Sequence, residues 1–187
     1  MNFGDNSVTV SGSGRSLTNS GTQSITFGGT LDGDSSAGDD AITINSGSGG
    51  VTFANNVGST DSLETLTVDS DGSVDFDGTV AVAGNIDIDG TSASFDNTVS
   101  TTAGGTFTLT NSGTATFVGA ADLNLDGAFH QDGSGGVSTA GDITTTGDGI
   151  TFDGALSLIG DISLDTTSGS AAGANITLNS TTTGAAA

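Results

Sequence analysis

Residues 25–31 read Ile25-Thr26-Phe27-Gly28-Gly29-Thr30-Leu31: an apolar–polar–Phe triplet, a short turn, and one more apolar residue. The phrase returns as Val51-Thr52-Phe53-Ala54-Asn55-Asn56-Val57, as Val74-Asp75-Phe76-Asp77-Gly78-Thr79-Val80, and as Ala93-Ser94-Phe95-Asp96-Asn97-Thr98-Val99. Ala115-Thr116-Phe117 and Ile150-Thr151-Phe152-Asp153-Gly154-Ala155-Leu156 complete the set. Successive side chains of a strand point to opposite faces, so Ile25 and Phe27 share one face and Thr26 takes the other. The pattern predicts an interior stack of Phe27, Phe53, Phe76, Phe95, Phe117 and Phe152, one ring per repeat.

A second phrase alternates with the first: apolar–polar–apolar, an Asx residue, then a glycine-rich turn. Its copies are Ile42-Thr43-Ile44-Asn45, Leu66-Thr67-Val68-Asp69, Ile86-Asp87-Ile88-Asp89, Phe107-Thr108-Leu109-Thr110, Leu123-Asn124-Leu125-Asp126, Ile162-Ser163-Leu164-Asp165 and Ile176-Thr177-Leu178-Asn179. Ile143-Thr144-Thr145-Thr146 is a weaker copy, and Val8-Thr9-Val10 a degenerate early one. The period is about twenty residues, the range of solenoid coils. These features predict an all-β fold, a parallel β-helix (β-solenoid) with about 20 residues per coil, running as one domain over residues 1–187. Residues 1–24 form its degenerate first coil and residues 180–187 its fading end. A β-sandwich also shows short strands at regular spacing and is the alternative. The solenoid is favoured because linker lengths vary while the motifs do not, as when insertions loop out of a stack. Seven to eight coils ~4.8 Å apart would make a rod about 35 Å long. Gly47, Gly72, Gly90, Gly113 and Gly127 are expected to supply positive φ at the corners.

Composition narrows the class. The chain has 187 residues, with 32 Gly and no Pro, Cys or Trp; 22 Asp and Glu stand against a single Lys or Arg, for a net charge of −21. Low hydrophobicity with high charge is a signature of disorder, but the regularly placed Thr, Val and Ile favour strands. No helical periodicity is present. Phosphate recognition needs Lys and Arg, so nucleic acid is not an expected partner, nor is an anionic membrane. No run of apolar residues is long enough to span a bilayer. MNFGDNSVTV has neither the basic nor the apolar region of a signal peptide. With no cysteine there is no disulfide framework, and strand ladders must supply the stability.

The alternation of ITF-x-G-x-L with a following LTV-D-x-x-G strand resembles the repeat regions of filamentous-haemagglutinin-like and other large β-strand-repeat surface proteins of bacteria. The resemblance covers about residues 25–180. It implies a right-handed coil, export, and a role in adhesion, biofilm or the cell surface. The two-partner type of amino-terminal secretion domain is not seen in this sequence.

Candidate chemistry is sparse. Stacked copies of the second phrase would place Asn45, Asp69, Asp89, Asp126, Asp165 and Asn179, with Thr110 and Thr146, along one corner. There short Asx side chains bond the local backbone. No cofactor is required on this reading. Calcium is the candidate ligand, since it takes six to eight oxygens, and Asp75, Asp77, Asp87 and Asp89 are the nearest cluster in the chain. His130 is the only histidine and Arg15 the only arginine. One histidine without cysteine makes a poor zinc site, and both residues read as solvated surface side chains, His130 in a loop. Paired carboxylates serve glycosidases, yet such enzymes generally need a groove with cations or aromatics, and the chain has one Arg and no Lys, Trp or Tyr, so an enzyme is not expected. Thr108/Thr110, Thr114/Thr116 and Thr144/Thr146 have the spacing of an ice-binding array without its register.

The expected function is therefore a structural element of an extracellular fibre or cell-surface filament. Partners would be further copies stacked head to tail, or flanking repeats of a longer chain, because neither end reads as a cap. The alternative is an adhesin segment binding host or matrix carbohydrate or protein, with Leu31–Ala41 and Val57–Leu63 as its non-repeating inserts.

Overall fold

A computed structural model describes residues 1–35, 39–168 and 172–184. Among the described residues there is no helix, and every strand pairing is parallel. The chain winds through about eight turns roughly 22 residues apart. Each turn visits three sheets in the same order. The first, the stack sheet, has eight strands: Ile25–Phe27, Val51–Phe53, Ser73–Phe76, Ser92–Phe95, Ala115–Phe117, Val137–Thr139, Leu156–Leu158 and Thr182–Gly184. The second, the short sheet, runs Val80–Val82, Val99–Thr101, Leu123–Leu125, Ile143–Thr145 and Leu164–Asp165. Bridges Leu31↔Val57 and Val57↔Val80 extend it down to the pair Val8–Thr9 and Leu31–Asp32. The third, the acidic sheet, has eight strands: Arg15–Thr18, Ala41–Asn45, Thr65–Asp69, Ile86–Gly90, Phe107–Asn111, Phe129–Gln131, Ile150–Phe152 and Ile176–Leu178.

The alternation that marks each phrase also decides burial. In strand after strand the first and third residues of the triplet are buried and the middle one faces out. No coil can bury this much apolar surface alone; its neighbours above and below complete the core. Phe27, Phe53, Phe76, Phe95 and Phe117 form one column, with ring centroids 5.1, 4.5, 5.0 and 4.7 Å apart and planes within 9° of parallel. Phe3 extends the column below Phe27 at 4.9 Å. Such offset stacks add about 0.5–1.5 kcal/mol per pair beyond area burial.

Phe152 stands elsewhere than the sequence phrase predicts. It lies in the acidic sheet, in register with Gln131, and tilts 54° against Phe129. The stack position above Phe117 is Thr139 and then Leu158. Phe107 and Phe129 enter the core from the acidic sheet and meet Phe95 and Phe117 edge-on. The cause is that each coil holds three strands where the sequence showed two alternating phrases. The trailing apolar residue of the first phrase, such as Val80 or Val99, opens the short sheet. Leu123 and Ile143 belong to that sheet too, while Ile42, Leu66, Ile86, Phe107 and Ile176 line the acidic one.

The corners are closed by small polar groups. Ser46, Ser70 and Asn111 are buried where the acidic sheet turns into the stack sheet. Ser70 Oγ donates to the Gly49 carbonyl at 3.0 Å, and Asn111 Nδ2 to Gly113 and Gly136 at 2.6 and 3.0 Å. Gln131 is fully buried: Nε2 donates among Asn111 Oδ1, Gly133 O and Gly135 O, and Oε1 accepts from Gly154 N at 2.8 Å. Of the five corner glycines expected to have positive φ, Gly47 alone does, at 51°. Gly127 shows why the others are glycine: an added Cβ would lie 2.6 Å from the Gly104 carbonyl of the coil below. Close stacking, more than backbone handedness, excludes side chains there. Residues 1–18 make a real first coil, with Asn2 bridging Thr26. Thr182–Gly184, placed by sequence in the fading end, pairs with Leu156–Leu158, and residues 185–187 lie outside the described residues.

Candidate functional site

The Asx residues divide between two corners. Asn45, Asp69, Asp89 and Thr110 are in register on the acidic sheet. Thr110 Oγ1 donates to Asp132 at 2.5 Å and Asn179 Nδ2 to Asp153 at 2.7 Å, which carries the row upward through two carboxylates absent from the predicted set. Asp126 lies instead just past the short-sheet strand Leu123–Leu125, and Asp165 is on the short-sheet strand Leu164–Asp165, in register with Thr144. Asp126 accepts from Gly104 N at 2.7 Å and Thr146 Oγ1 at 2.8 Å; Asp165 accepts from Thr167 N at 2.7 Å. Asp132 and Asp153 lie outside the predicted row because Phe129-His130-Gln131 reads as a loop and Ile150-Thr151-Phe152 as a stack strand. An even count of about 22 residues through Thr110 would have found them.

Their electrostatics differ along the row. Burial, then Asp132 and Asp69, raises the Asp87 carboxyl above its ordinary value, and burial with Asp69 and Asp87 does the same to Asp89. Asp153, higher up, is lowered by hydrogen bonds from Asn179 and His130. Asp126 and Asp165 are lowered by hydrogen bonds from Gly104 and Thr146 and from Thr167.

The four aspartates taken together from the sequence for calcium do not converge. Asp75 is on the stack sheet, where Ser94 donates to it at 2.8 Å, and Asp77 is in the turn that follows. Asp87 and Asp89 are on the acidic sheet. Chain proximity misleads because one coil separates sheets that face different ways. Among the described residues, the one group of three acidic side chains whose oxygens all lie within 4.8 Å of one another is Asp34, Asp39 and Asp40. Asp40 is buried and accepts from Gly12 N and Asp34 N at 3.1 and 2.9 Å. Asp32, also buried, accepts from Thr60 N at 2.9 Å. These carboxylates pin the described parts of both inserts, Leu31–Ala41 and Val57–Leu63, to the body of the coil.

His130 lies on a strand rather than in a loop; its Nε2 is 3.1 Å from Asp153 Oδ2, and both side chains are largely exposed. Arg15 occupies an inward register position, paired with Ile42, on the lowest strand of the acidic sheet. Its side chain is exposed and Nε donates to Ser11 O at 2.6 Å. At the opposite end of the same column stand Ile176 and Leu178, 43% and 42% exposed. Thr182–Gly184, Leu164–Asp165 and Ile176–Leu178 are the last strands of the three sheets on that side.

Acid is distributed unevenly. Asp5 is the only acidic residue before Asp32, and none follows Asp165. The first coil thus holds one carboxylate, Asp5, and the last holds Asp161 and Asp165, whereas the walls between them are strongly negative. No helix among the described residues is long and apolar enough to cross a membrane. No known protein family, curated protein or solved structure matches this chain.

Proposed function

We propose that this chain is a non-catalytic rod segment of an extracellular or cell-surface fibre. It is extended along the solenoid axis by further coils, supplied by a second copy or by flanking repeats. One observation carries the reading: the end coils present open strand edges and exposed Ile176 and Leu178, with few acids, on a chain of net charge −21. An uncovered edge offers unpaired N–H and C=O groups to another strand. Like-charged walls repel at their sides, so association is directed to the ends. Contacts of this head-to-tail kind do not close on themselves and give filaments. The acidity and the likeness to strand-repeat surface proteins both support a place outside the cell.

The test is sedimentation velocity over a concentration series, with electron microscopy of the same samples. Species that grow with concentration and appear as rods of uniform width support the proposal. Dispersed single rods at every concentration would overturn it.

A further inference from the structure

The short sheet carries a groove of about 310 Å³ on its outer corner, lined by Thr101, Thr102, Asn124, Leu125, Asp126, Thr144, Thr146 and Ser168. Its origin is a difference in corner length. Residues 126–128 join the short sheet to the acidic sheet in one coil, where the coil below uses 102–106 and the coil above uses 146–149. The short corner is recessed between longer ones. Its wall holds Ser168, a non-glycine residue with positive φ, 34°. Backbone held in this region costs energy and is concentrated at binding sites.

The lining selects a ligand class. Asp126 is the only charged group and no cation is present, so a phosphate or carboxylate would be repelled. Leu125 is the only apolar residue, which is too little for a lipid or an aromatic ring. Hydroxyls, an amide and one carboxylate remain. The Asp126 carboxylate is fixed by Gly104 N on Oδ2 and Thr146 Oγ1 on Oδ1, which leaves one acceptor site on each oxygen. Asn124 and Thr144 point outward from adjacent strands in register, and neither side chain hydrogen-bonds another described residue. Both can donate and accept at once. Acceptor sites beside groups that both donate and accept match the hydroxyls of a neutral sugar.

We infer that this groove is a binding subsite for one unit of a neutral carbohydrate, with Asp126, Asn124 and Thr144 as its polar contacts. The volume is at the lower end for small-molecule sites, about 300–1,000 Å³, and the open rim lets the rest of a glycan project into solvent. The site sits on the wall of the rod and is independent of whether rods join end to end.

The experiment is saturation-transfer difference NMR with the methyl glycosides of glucose, galactose, mannose and N-acetylglucosamine, alongside a neutral-glycan array. The readout comes from the sugar, so it serves single rods and filaments alike. At least one glycoside should show transfer, with an affinity in the range of about 1 mM. The Asn124→Leu/Thr144→Val variant alters only outward side chains and should melt as the parent does while losing binding about tenfold. Absence of transfer from all four glycosides together with an empty array would overturn the inference. So would binding that the double variant leaves unchanged.

Discussion

The middle coils and the end coils of this rod obey different rules. In the middle, each ring from Phe27 to Phe95 is stacked between two others, and Asp69, Asp87 and Asp89 crowd one wall. At the ends, exposed Arg15 stands on one side and exposed Ile176 and Leu178 on the other, and carboxylates are fewer. The middle is therefore built for stability and lateral repulsion. The ends give up burial and keep an open edge. They also differ from each other: the lower edge strand carries the charge of Arg15, and charge on an edge strand discourages strand addition, so on the proposed reading the Ile176/Leu178 side is the face that joins.

The contrast can be broken from the middle first. Phe76→Ala removes a ring stacked on both sides and should cost about 3–5 kcal/mol, measured as a lower urea midpoint. The folded fraction should still associate as the parent does. Leu178→Asp should do the reverse. It touches a half-exposed side chain on a terminal strand, so melting should change little. It removes a burial of about 1.5–3 kcal/mol at the contact and adds a charge there. The concentration needed for assembly should rise by about ten- to a hundredfold, read by sedimentation. A Leu178→Asp chain that assembles like the parent would separate assembly from this face.

Arg15→Leu sharpens the difference between the two ends. Replacing this edge-strand charge with an apolar side chain should lower the assembly threshold several-fold by the same measurement, with the acidic side-wall charge essentially unchanged.

The smallest effect is in pH. Asp87 and Asp89 have raised carboxyl values in the fold, so the folded chain holds more protons than the unfolded chain between about 3.8 and those values. Their destabilising effect is fully present above the window and is relieved as pH falls through it. Asp126, Asp153 and Asp165 are lowered, and the stability they contribute is present above about 3.8 and lost as pH falls further. The melting temperature should rise slightly on mild acidification and then drop. Asp87→Asn/Asp89→Asn should flatten the rise and leave the drop.

The fold was readable because a stacked coil repeats its inward side chains, and Ile25-Thr26-Phe27 over Val51-Thr52-Phe53 announces that directly. What stayed hidden was the phase. An apolar–polar–apolar triplet looks alike on any of three sheets, and corner length alone assigns it. Phe152 thus read as a stack residue although it faces the core from the acidic sheet. Phe129–Gln131 and Val137–Thr139 were missed as strands because a buried Gln or Thr interrupts the apolar pattern, and only the folded corner shows what those polar groups bond. The groove at Asn124 and Thr144 was likewise invisible, since it arises from the relative lengths of corners in neighbouring coils.

The central claim is that coils add along the solenoid axis, and fibre diffraction from aligned assemblies tests it most directly. If the rod grows by end-to-end stacking, the strand spacing of ~4.8 Å must appear on the meridian, along the filament. A 4.8 Å reflection on the equator would show rods joined side by side and contradict the account.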